Sequence, residues 1–160
     1  SVRGSTCQHY IATKPHSFIG FGVQSTMGWS LGAAIGAKLA APDKLVIAFM
    51  GDEAFAETAL DLETAVRSDT PILVVLKNNK GAPTGEGGVS PRLGAIRFKP
   101  GGDYGALARS LGVRAYRVED SEALRGALAG GIAAVQDGES AVVEVITKRV
   151  PTSLHRFWEG

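Results

Sequence analysis

Short apolar runs alternate with longer amphipathic stretches along the whole chain. Runs of strand length separated by stretches of helical spacing are typical of βαβ units on a parallel sheet. The pattern therefore predicts an α/β fold, a doubly wound parallel sheet with helices on both faces. Strands are predicted at 45–50, 71–77, 113–118 and 141–146, with a short fifth strand at 16–19.

The predicted strands differ in how apolar they are. Every residue of 45–50 is apolar, so this strand is expected to be buried on both faces. Arg114 and Arg117 interrupt 113–118, which places that strand nearer an edge of the sheet.

Helices are predicted at 28–41, 57–68, 103–111 and 121–136. Pro42 ends the first, and Ser121 is the expected N-cap of the last, whose middle is weakened by Gly130 and Gly131. The remaining long segment, 81–102, is rich in Gly and Pro and has no clear period. A loop of this length in a compact domain is typically functional or mobile.

Composition places the chain among single-domain globular proteins and excludes several classes of function. The chain has 160 residues, of which 44% are hydrophobic and 21% are charged. A net charge of +1 gives no electrostatic reason to expect nucleic acid or a membrane surface as a partner. Cys7 is the single cysteine, which excludes an intramolecular disulfide and a multi-cysteine zinc or iron–sulfur site. No apolar run reaches membrane-spanning length, and a reducing cytoplasm is the expected compartment.

Polar residues that suit a metal ion follow two of the predicted strands. Asp52 follows the strand at 45–50, and Asn79 follows the strand at 71–77. If these strands are neighbours, both side chains open onto one crevice at the carboxyl edge of the sheet, where α/β proteins bind ligands. A carboxylate, an amide oxygen and a loop carbonyl suit Mg²⁺, which keeps phosphate oxygens and water in its other positions. The residues indicate a magnesium-bridged diphosphate, and the alternative is a pair of ordinary turns.

Longer motifs carry a resemblance to a known family. Gly51-Asp52-Glu53, then 24 residues, then Asn78-Asn79 resembles the thiamine diphosphate signature GDG…NN. Residues 15–19 and 26–40 are similar to the "PHTFI…TMGxGLPAAIGAxLA" stretch of acetolactate synthases and 2-oxo acid decarboxylases, and residues 103–112 are similar to their "DFxxLAxAxG" helix. The resemblance, to the diphosphate-binding domain of thiamine diphosphate-dependent enzymes, covers nearly the whole chain.

The resemblance implies roles for residues that would hold the metal ion and the diphosphate. Asp52 and Asn79 would bind Mg²⁺ through their side chains, and Gly81 through its carbonyl oxygen. The backbone of Glu53 and Ala54 would cradle the diphosphate. Because Glu53 stands where the family has Gly or Ala, we expect its carboxylate to point outward or to pair with a cation such as Lys80.

Two further residues are implied to contact the rest of the cofactor. Met27 would lie under the cofactor and hold it bent, which is the role in catalysis that the resemblance assigns to this chain. Its alternative is a methionine that fills a gap in the core. The backbone of Ser25 would face the aminopyrimidine, and residues 1–5 fall where the family has a turn that contacts the diphosphate.

The implied function is that of a thiamine diphosphate- and Mg²⁺-dependent lyase or transferase acting on 2-oxo acids. Decarboxylation and carboligation both remain open. The activating glutamate of the family lies on a pyrimidine-binding domain, which these 160 residues do not contain. We therefore expect the chain to be one half of a split enzyme or the C-terminal piece of a longer chain, with the first strand of the diphosphate domain before Ser1. The active site would then form at an apolar interface in a hetero-oligomer. The alternatives are a 2-oxo acid dehydrogenase or oxidoreductase subunit and a catalytically inactive cofactor-binding subunit.

Overall fold

A sheet of four parallel strands, in the order β1-β2-β4-β3, forms the centre of the fold. The computed structural model of the chain describes residues 2–20, 26–80 and 102–148. In chain order the elements are α1 (Val2–His9), α2 (Trp29–Ala40), β1 (Ile47–Gly51), α3 (Asp52–Thr58), α4 (Asp61–Arg67), β2 (Leu73–Asn78), α5 (Tyr104–Ser110), β3 (Arg114–Val118), α6 (Ser121–Gln136) and β4 (Ala141–Ile146).

Helices cover both faces of this sheet, as the sequence predicts. Because successive side chains of a strand point to opposite faces, the sheet contributes to two separate apolar clusters, one on each face. In one cluster, the helices α2, α3, α4 and α5 pack against one face of the sheet, which contributes Met50, Leu76 and Val142. The other joins α6 to the opposite face and includes Leu73 and Val143. The predicted fold class, a doubly wound α/β sheet, is confirmed.

The prediction that β1 is buried on both faces is wrong. Ala48 and Met50 are buried, but Ile47 and Phe49 on the opposite face are 51% and 37% exposed. The reason is position: β1 is an edge strand of the described sheet, and α6 packs against β2, β3 and β4 on that face. The arginine-interrupted strand β3 lies at the other edge, as predicted.

Two other sequence predictions about secondary structure are also wrong. Residues 16–19 form a turn and irregular backbone, not a strand. The helix predicted at 57–68 begins at Asp52 and is divided into α3 and α4. At the break, the Leu62 amide donates to the Ala59 carbonyl three residues back, at 3.1 Å, which interrupts the regular α-helical ladder.

Helix α6 has the predicted bounds but a different N-cap. The Asp120 carboxylate accepts a hydrogen bond from the Glu122 amide at 2.9 Å, so Asp120 and not Ser121 is the cap. The glycines in the middle of α6 allow the helix to approach the sheet closely. A Cβ on Gly131 would lie 2.8 Å from Leu73 Cδ1, closer than real side chains come. Glycine has a low helix propensity, but the close packing of α6 on the sheet requires it at this position.

The start of the chain is helical where the resemblance implies a turn. Residues Val2–His9 form α1, and Ser1 lies outside the described residues. A Cβ placed on Gly51 would lie 3.5 Å from Val2 Cγ2, so α1 begins beside the carboxyl end of β1. The expected turn is wrong, although the segment does lie next to the predicted site.

Candidate functional site

The carboxyl ends of β1 and β2 bring two predicted metal ligands to the same edge of the sheet. The strands pair in parallel with Gly51 opposite Lys77, and adjacent strands lie about 4.8 Å apart. Asp52 comes directly after Gly51, and Asn79 is the second residue after Lys77. The side chains of both are buried, with 3% of Asp52 and 9% of Asn79 exposed. The condition set by the sequence, that these strands are neighbours, is met.

Helix α3 follows β1 without an intervening loop. Gly51 is extended, with φ −92° and ψ 165°, and Asp52 already has helical geometry. Asp52, Glu53 and Ala54 therefore share the first turn of α3, directly at the end of the strand. Backbone amides in the first turn of a helix have no acceptor within the helix. The structure thus places the predicted metal ligand beside the two residues predicted to hold a diphosphate.

Negative charge accumulates at this first turn. Burial raises the pKa of the Glu53 carboxyl, and the charges of Asp52 and Glu57 raise it further. Burial also raises the pKa of Tyr104, with added contributions from Asp52, Glu144 and Glu53. The Tyr104 ring packs edge-on against Phe55 in α3, with the ring centroids 5.3 Å apart. A divalent cation at this position would relieve the mutual repulsion of the carboxylates.

A second polar group lies at the end of β2, and sequence reasoning missed it. Glu144 is 1% exposed, accepts a hydrogen bond from Asn78 Nδ2 at 2.6 Å, and faces Arg117 on its other side. One signal was available, because Glu144 is the only charged residue in the otherwise apolar strand β4. Its partners come from neighbouring strands and are not predictable from local spacing.

One buried oxygen at this edge has no partner within the described ranges. The Thr147 hydroxyl oxygen is buried and makes no hydrogen bond to a described residue. Its backbone amide donates to the Asn78 carbonyl at 2.8 Å, which places Thr147 beside the end of β2. Because buried polar atoms are nearly always paired, we expect water, a ligand or a residue outside the described ranges to bond this oxygen.

Met27 lies on the turn before α2. It is 44% exposed, so it does not fill a gap in the core of the described residues. The turn is fixed by Gly28, whose φ is 77° and whose absent Cβ would lie 2.3 Å from Thr58 Cγ2. The turn is thereby held against the end of α3. The predicted contact residues Ser25 and Gly81 lie outside the described residues.

Within the parts of the chain that the structure describes, no group of three or more His, Cys, Asp and Glu side chains is arranged to hold a metal ion. The predicted ligand set contains one carboxylate, so it depends on amide, backbone and phosphate oxygens for its other ligands.

Among the helices that the structure describes, none has the length and apolar character needed to cross a membrane.

Comparison with known families decides how this edge is interpreted. The family described as "Thiamine pyrophosphate enzyme, C-terminal TPP binding domain" matches residues 1–145. The chain belongs to this family. Thiamine pyrophosphate is the same compound as thiamine diphosphate, so the resemblance carried by the motifs at 51–53 and 78–79 is confirmed.

Individual relatives of this thiamine pyrophosphate-binding domain are lyases and synthases by name. The chain is 34% identical over 125 residues to the mitochondrial acetolactate synthase catalytic subunit of Saccharomyces cerevisiae, covering 73% of this chain and 18% of that protein. It is 33% identical over 144 residues to a 2-hydroxyacyl-CoA lyase of Arabidopsis thaliana, covering 85% of this chain and 25% of that protein.

A solved structure has the same fold. The chain matches a thiamine diphosphate-dependent 4-hydroxybenzoylformate decarboxylase from Rhodococcus jostii with a TM-score of 0.65 and 28% identity. The match covers 79% of this chain and 24% of that protein. The chain thus spans about a quarter or less of each relative described. The expected cytoplasmic compartment stays a prediction, and the yeast synthase is mitochondrial by name.

Proposed function

We propose that the chain is the diphosphate-binding part of a thiamine diphosphate- and Mg²⁺-dependent enzyme that acts on 2-oxo acids by decarboxylation, carboligation or both. One observation supports this most directly: a buried carboxylate, Asp52, and a buried amide, Asn79, lie at the adjacent carboxyl ends of two parallel strands. Two relatives, an acetolactate synthase and a 4-hydroxybenzoylformate decarboxylase, favour this class of chemistry by their names.

The residues present fit a magnesium ion. Carboxylate and amide oxygens are hard ligands, which Mg²⁺ prefers over the imidazoles and thiolates that other metals select. Burial first, and then the charges of Asp52 and Glu57, raise the pKa of Glu53, and a cation would offset the part that comes from negative charge. We propose that Asp52 and Asn79 hold Mg²⁺ through their side chains and that the Gly81 carbonyl is a third ligand.

The diphosphate would lie against the first turn of α3. The backbone of Glu53 and Ala54 would hold its oxygens there, and Mg²⁺ would share those oxygens with Asp52. Met27 would support the remainder of the cofactor from the turn before α2, where its exposed side chain is available for contact. Ser25 would present its backbone to the aminopyrimidine.

When bound, thiamine diphosphate supplies an electron sink for the bond next to a carbonyl carbon of the substrate. This bond can then be broken or formed. The residues of this chain would bind and orient the group, and Met27 would lie under it and hold it bent. We propose that a pyrimidine-binding domain, on a partner subunit or another part of the enzyme, supplies the glutamate that handles protons. This division predicts a hetero-oligomer or a multidomain chain with the site at an apolar interface.

The named 2-hydroxyacyl-CoA lyase relatives support a second candidate, cleavage of a 2-hydroxyacyl-CoA. Assays of the complete enzyme with pyruvate, with benzoylformate and with a 2-hydroxyacyl-CoA distinguish the two. Turnover of a 2-oxo acid supports the first proposal, and turnover of the thioester alone replaces it with the second. Cofactor binding without turnover of any of them would identify the inactive cofactor-binding subunit.

The binding proposal is tested by calorimetric titration of the complete enzyme with thiamine diphosphate, with Mg²⁺ and with a chelator. Asp52→Ala should abolish the Mg²⁺-dependent part of the binding. Asp43→Ala is the matched control, because Asp43 is an exposed aspartate on the turn before β1. Equal affinity of Asp52→Ala and the parent would overturn the proposed metal site.

A further inference from the structure

A charged residue, Glu144, is buried among apolar residues in an interior strand of the sheet. Glu144 lies in β4 between Leu76 of β2 and Arg117 of β3, and only 1% of it is exposed. The other five residues of β4 are Ala, Val and Ile. Burying a carboxylate is unfavourable unless each oxygen is paired, so the partners of Glu144 indicate what it does.

The two oxygens of Glu144 have different partners. Oε1 accepts a hydrogen bond from Asn78 Nδ2 at 2.6 Å. Oε2 faces Arg117 Nη1 at 3.3 Å, and Arg117 also pairs with the exposed Glu119 at 2.8 Å. Arg117 thus neutralises one side of the carboxylate, while the other side holds the amide of Asn78.

Asn78 passes this constraint to the backbone that follows β2. With its Nδ2 committed to Glu144, its Oδ1 accepts a hydrogen bond from the Lys80 amide at 2.9 Å. Lys80 has a φ of 60°, in the left-handed region that non-glycine residues adopt only when held there. The Asn78 carbonyl is fixed as well, by the Thr147 amide at 2.8 Å. The turn from Asn78 to Lys80 has Asn79 at its centre. It is therefore held by its own hydrogen bond and by two contacts from β4 and the residue after it.

The hydrogen bond between Asn78 and Glu144 joins residues that are 66 positions apart in sequence. Near them, burial first and then the charges of Asp52 and Glu144 raise the pKa of Tyr104.

We propose that Glu144 is a positioning residue for the metal ligand Asn79. Through Asn78 it forms the turn from Asn78 to Lys80 before the metal ion binds, so that binding does not have to order this backbone. This inference rests on the proposed function, since it assigns Glu144 a role in the affinity for Mg²⁺. Outer-shell partners of this kind typically change metal affinity by about 10- to 100-fold when they are removed.

The test measures Mg²⁺ affinity of the complete enzyme by calorimetry at saturating thiamine diphosphate. Glu144→Leu removes both acceptors and should weaken the affinity by about 10- to 100-fold. Glu144→Gln keeps an oxygen for Asn78 Nδ2 and should restore most of the affinity. Glu119→Gln is the matched control, because it removes the exposed partner of Arg117 and leaves Asn78 untouched.

A second readout does not depend on the metal ion. In the metal-free enzyme, hydrogen exchange of the Lys80 amide should be faster in Glu144→Leu than in the parent, and close to the parent rate in Glu144→Gln. If Glu144→Leu does not fold, Asn78→Ala tests the same connection while retaining the pair of Glu144 with Arg117. Its Lys80 amide should also exchange faster, and its affinity for Mg²⁺ should fall.

The outcomes separate this inference from the proposed function. A parent enzyme that binds the cofactor without any need for Mg²⁺ would overturn the proposed function and this inference with it. A parent that requires Mg²⁺, with Glu144→Leu or Asn78→Ala equal to it in affinity, would overturn only the inference. Reduced thermal stability with unchanged affinity would show a structural role alone, which also overturns it.

Discussion

The two ends of the sheet bury different kinds of polar side chain. At the amino ends of the strands the buried polar residues carry hydroxyl groups, and at the carboxyl ends they carry carboxylates and amides. Among the described residues, the first set is Thr70 and Ser140, and the second is Asp52, Asn78, Asn79 and Glu144.

The hydroxyl groups at the amino end complete the hydrogen bonding of the backbone. Ser140 Oγ accepts from the Ile72 amide at 3.2 Å, and the Thr70 hydroxyl donates to the Ala65 carbonyl at 3.2 Å. The Ser140 hydroxyl therefore pairs a buried backbone amide. The Thr70 hydroxyl adds a second hydrogen bond to a carbonyl that also accepts from the Thr70 amide at 3.0 Å. Their contribution is to stability.

The carboxyl end is different because its groups are more expensive to bury than hydroxyls. A buried ion pair is often no more stabilising than well-packed apolar residues in its place. Asp52 and Glu144 are nearly inaccessible and lie next to the end of β2. Polar groups at the amino end therefore stabilise the fold, whereas the proposed function gives those at the carboxyl end a role in binding.

The largest expected effect comes from Asn79 at the carboxyl end. Asn79→Ala removes a proposed ligand, so calorimetry should show an affinity for Mg²⁺ more than about 100-fold weaker, beyond the range for outer-shell partners. The free energy of unfolding of the metal-free enzyme, from urea denaturation, should fall by about 0.5–1.5 kcal/mol, as for the loss of an ordinary hydrogen-bonding side chain. Asn79→Asp keeps an oxygen ligand and serves as the control. A large loss of stability with normal affinity would remove the contrast between the ends.

Ser140→Ala, at the amino end, should lower the stability of the fold and leave the affinity for Mg²⁺ unchanged. It leaves the Ile72 amide, in a residue with 0% exposure, without its acceptor. Urea denaturation should show a loss of about 1–3 kcal/mol in the free energy of unfolding, while the affinity for Mg²⁺ should equal that of the parent. Weaker metal binding in this variant would mean that the amino end also serves the site.

Tyr104 provides a spectroscopic test of the carboxyl end. Burial first, and then the nearby carboxylates, raise the pKa of Tyr104. Asp52→Asn should therefore lower that pKa, but not to its ordinary value, because the burial remains. Absorbance of the phenolate against pH, with Tyr104→Phe as the reference, measures this.

The same shift has a consequence for stability against pH. The folded protein holds the Tyr104 proton more tightly than the unfolded chain, so the free energy of unfolding falls as the pH rises from the ordinary pKa of the phenol to its raised value. Tyr104→Phe should lack this fall. An identical pH dependence of denaturation in both proteins would contradict the assignment.

The smallest expected effect is at the amino end, in the exposed pair of Arg114 and Glu139. The hydrogen bond from Arg114, and then its charge, lower the pKa of Glu139. The pair therefore stabilises the fold above the ordinary carboxyl pKa, and this stabilisation is lost as the pH falls through the lowered value. Glu139→Gln should reduce the melting temperature slightly at neutral pH and low salt, and not at acid pH or high salt. A difference that persists in high salt would contradict this.

Much of the fold was predictable because the signals are local. The bounds of α6 and β4 agree with the predicted bounds, since periodicity and apolar runs reflect burial of one face or of both. The positions of Asp52 and Asn79 at the strand ends were predictable for the same reason, because each follows a strand that the apolar pattern alone defines, and their role as metal ligands stays a prediction.

Other features were not predictable because the local pattern of residues does not contain what decides them. The exposed face of β1 follows from its place at the edge of the described sheet, and a run of apolar residues does not indicate that place. The division between α3 and α4 depends on a tight turn at Ala59, a residue with good helix propensity.

The amino-acid sequence by itself determined the alternation of strands and helices and the residue types at the strand ends, because these depend on side chains within a few positions of each other. The tertiary structure alone decided that β4 lies between β2 and β3 and so brings Glu144 against Asn78. That pairing depends on the order of the strands in space, which local periodicity does not contain.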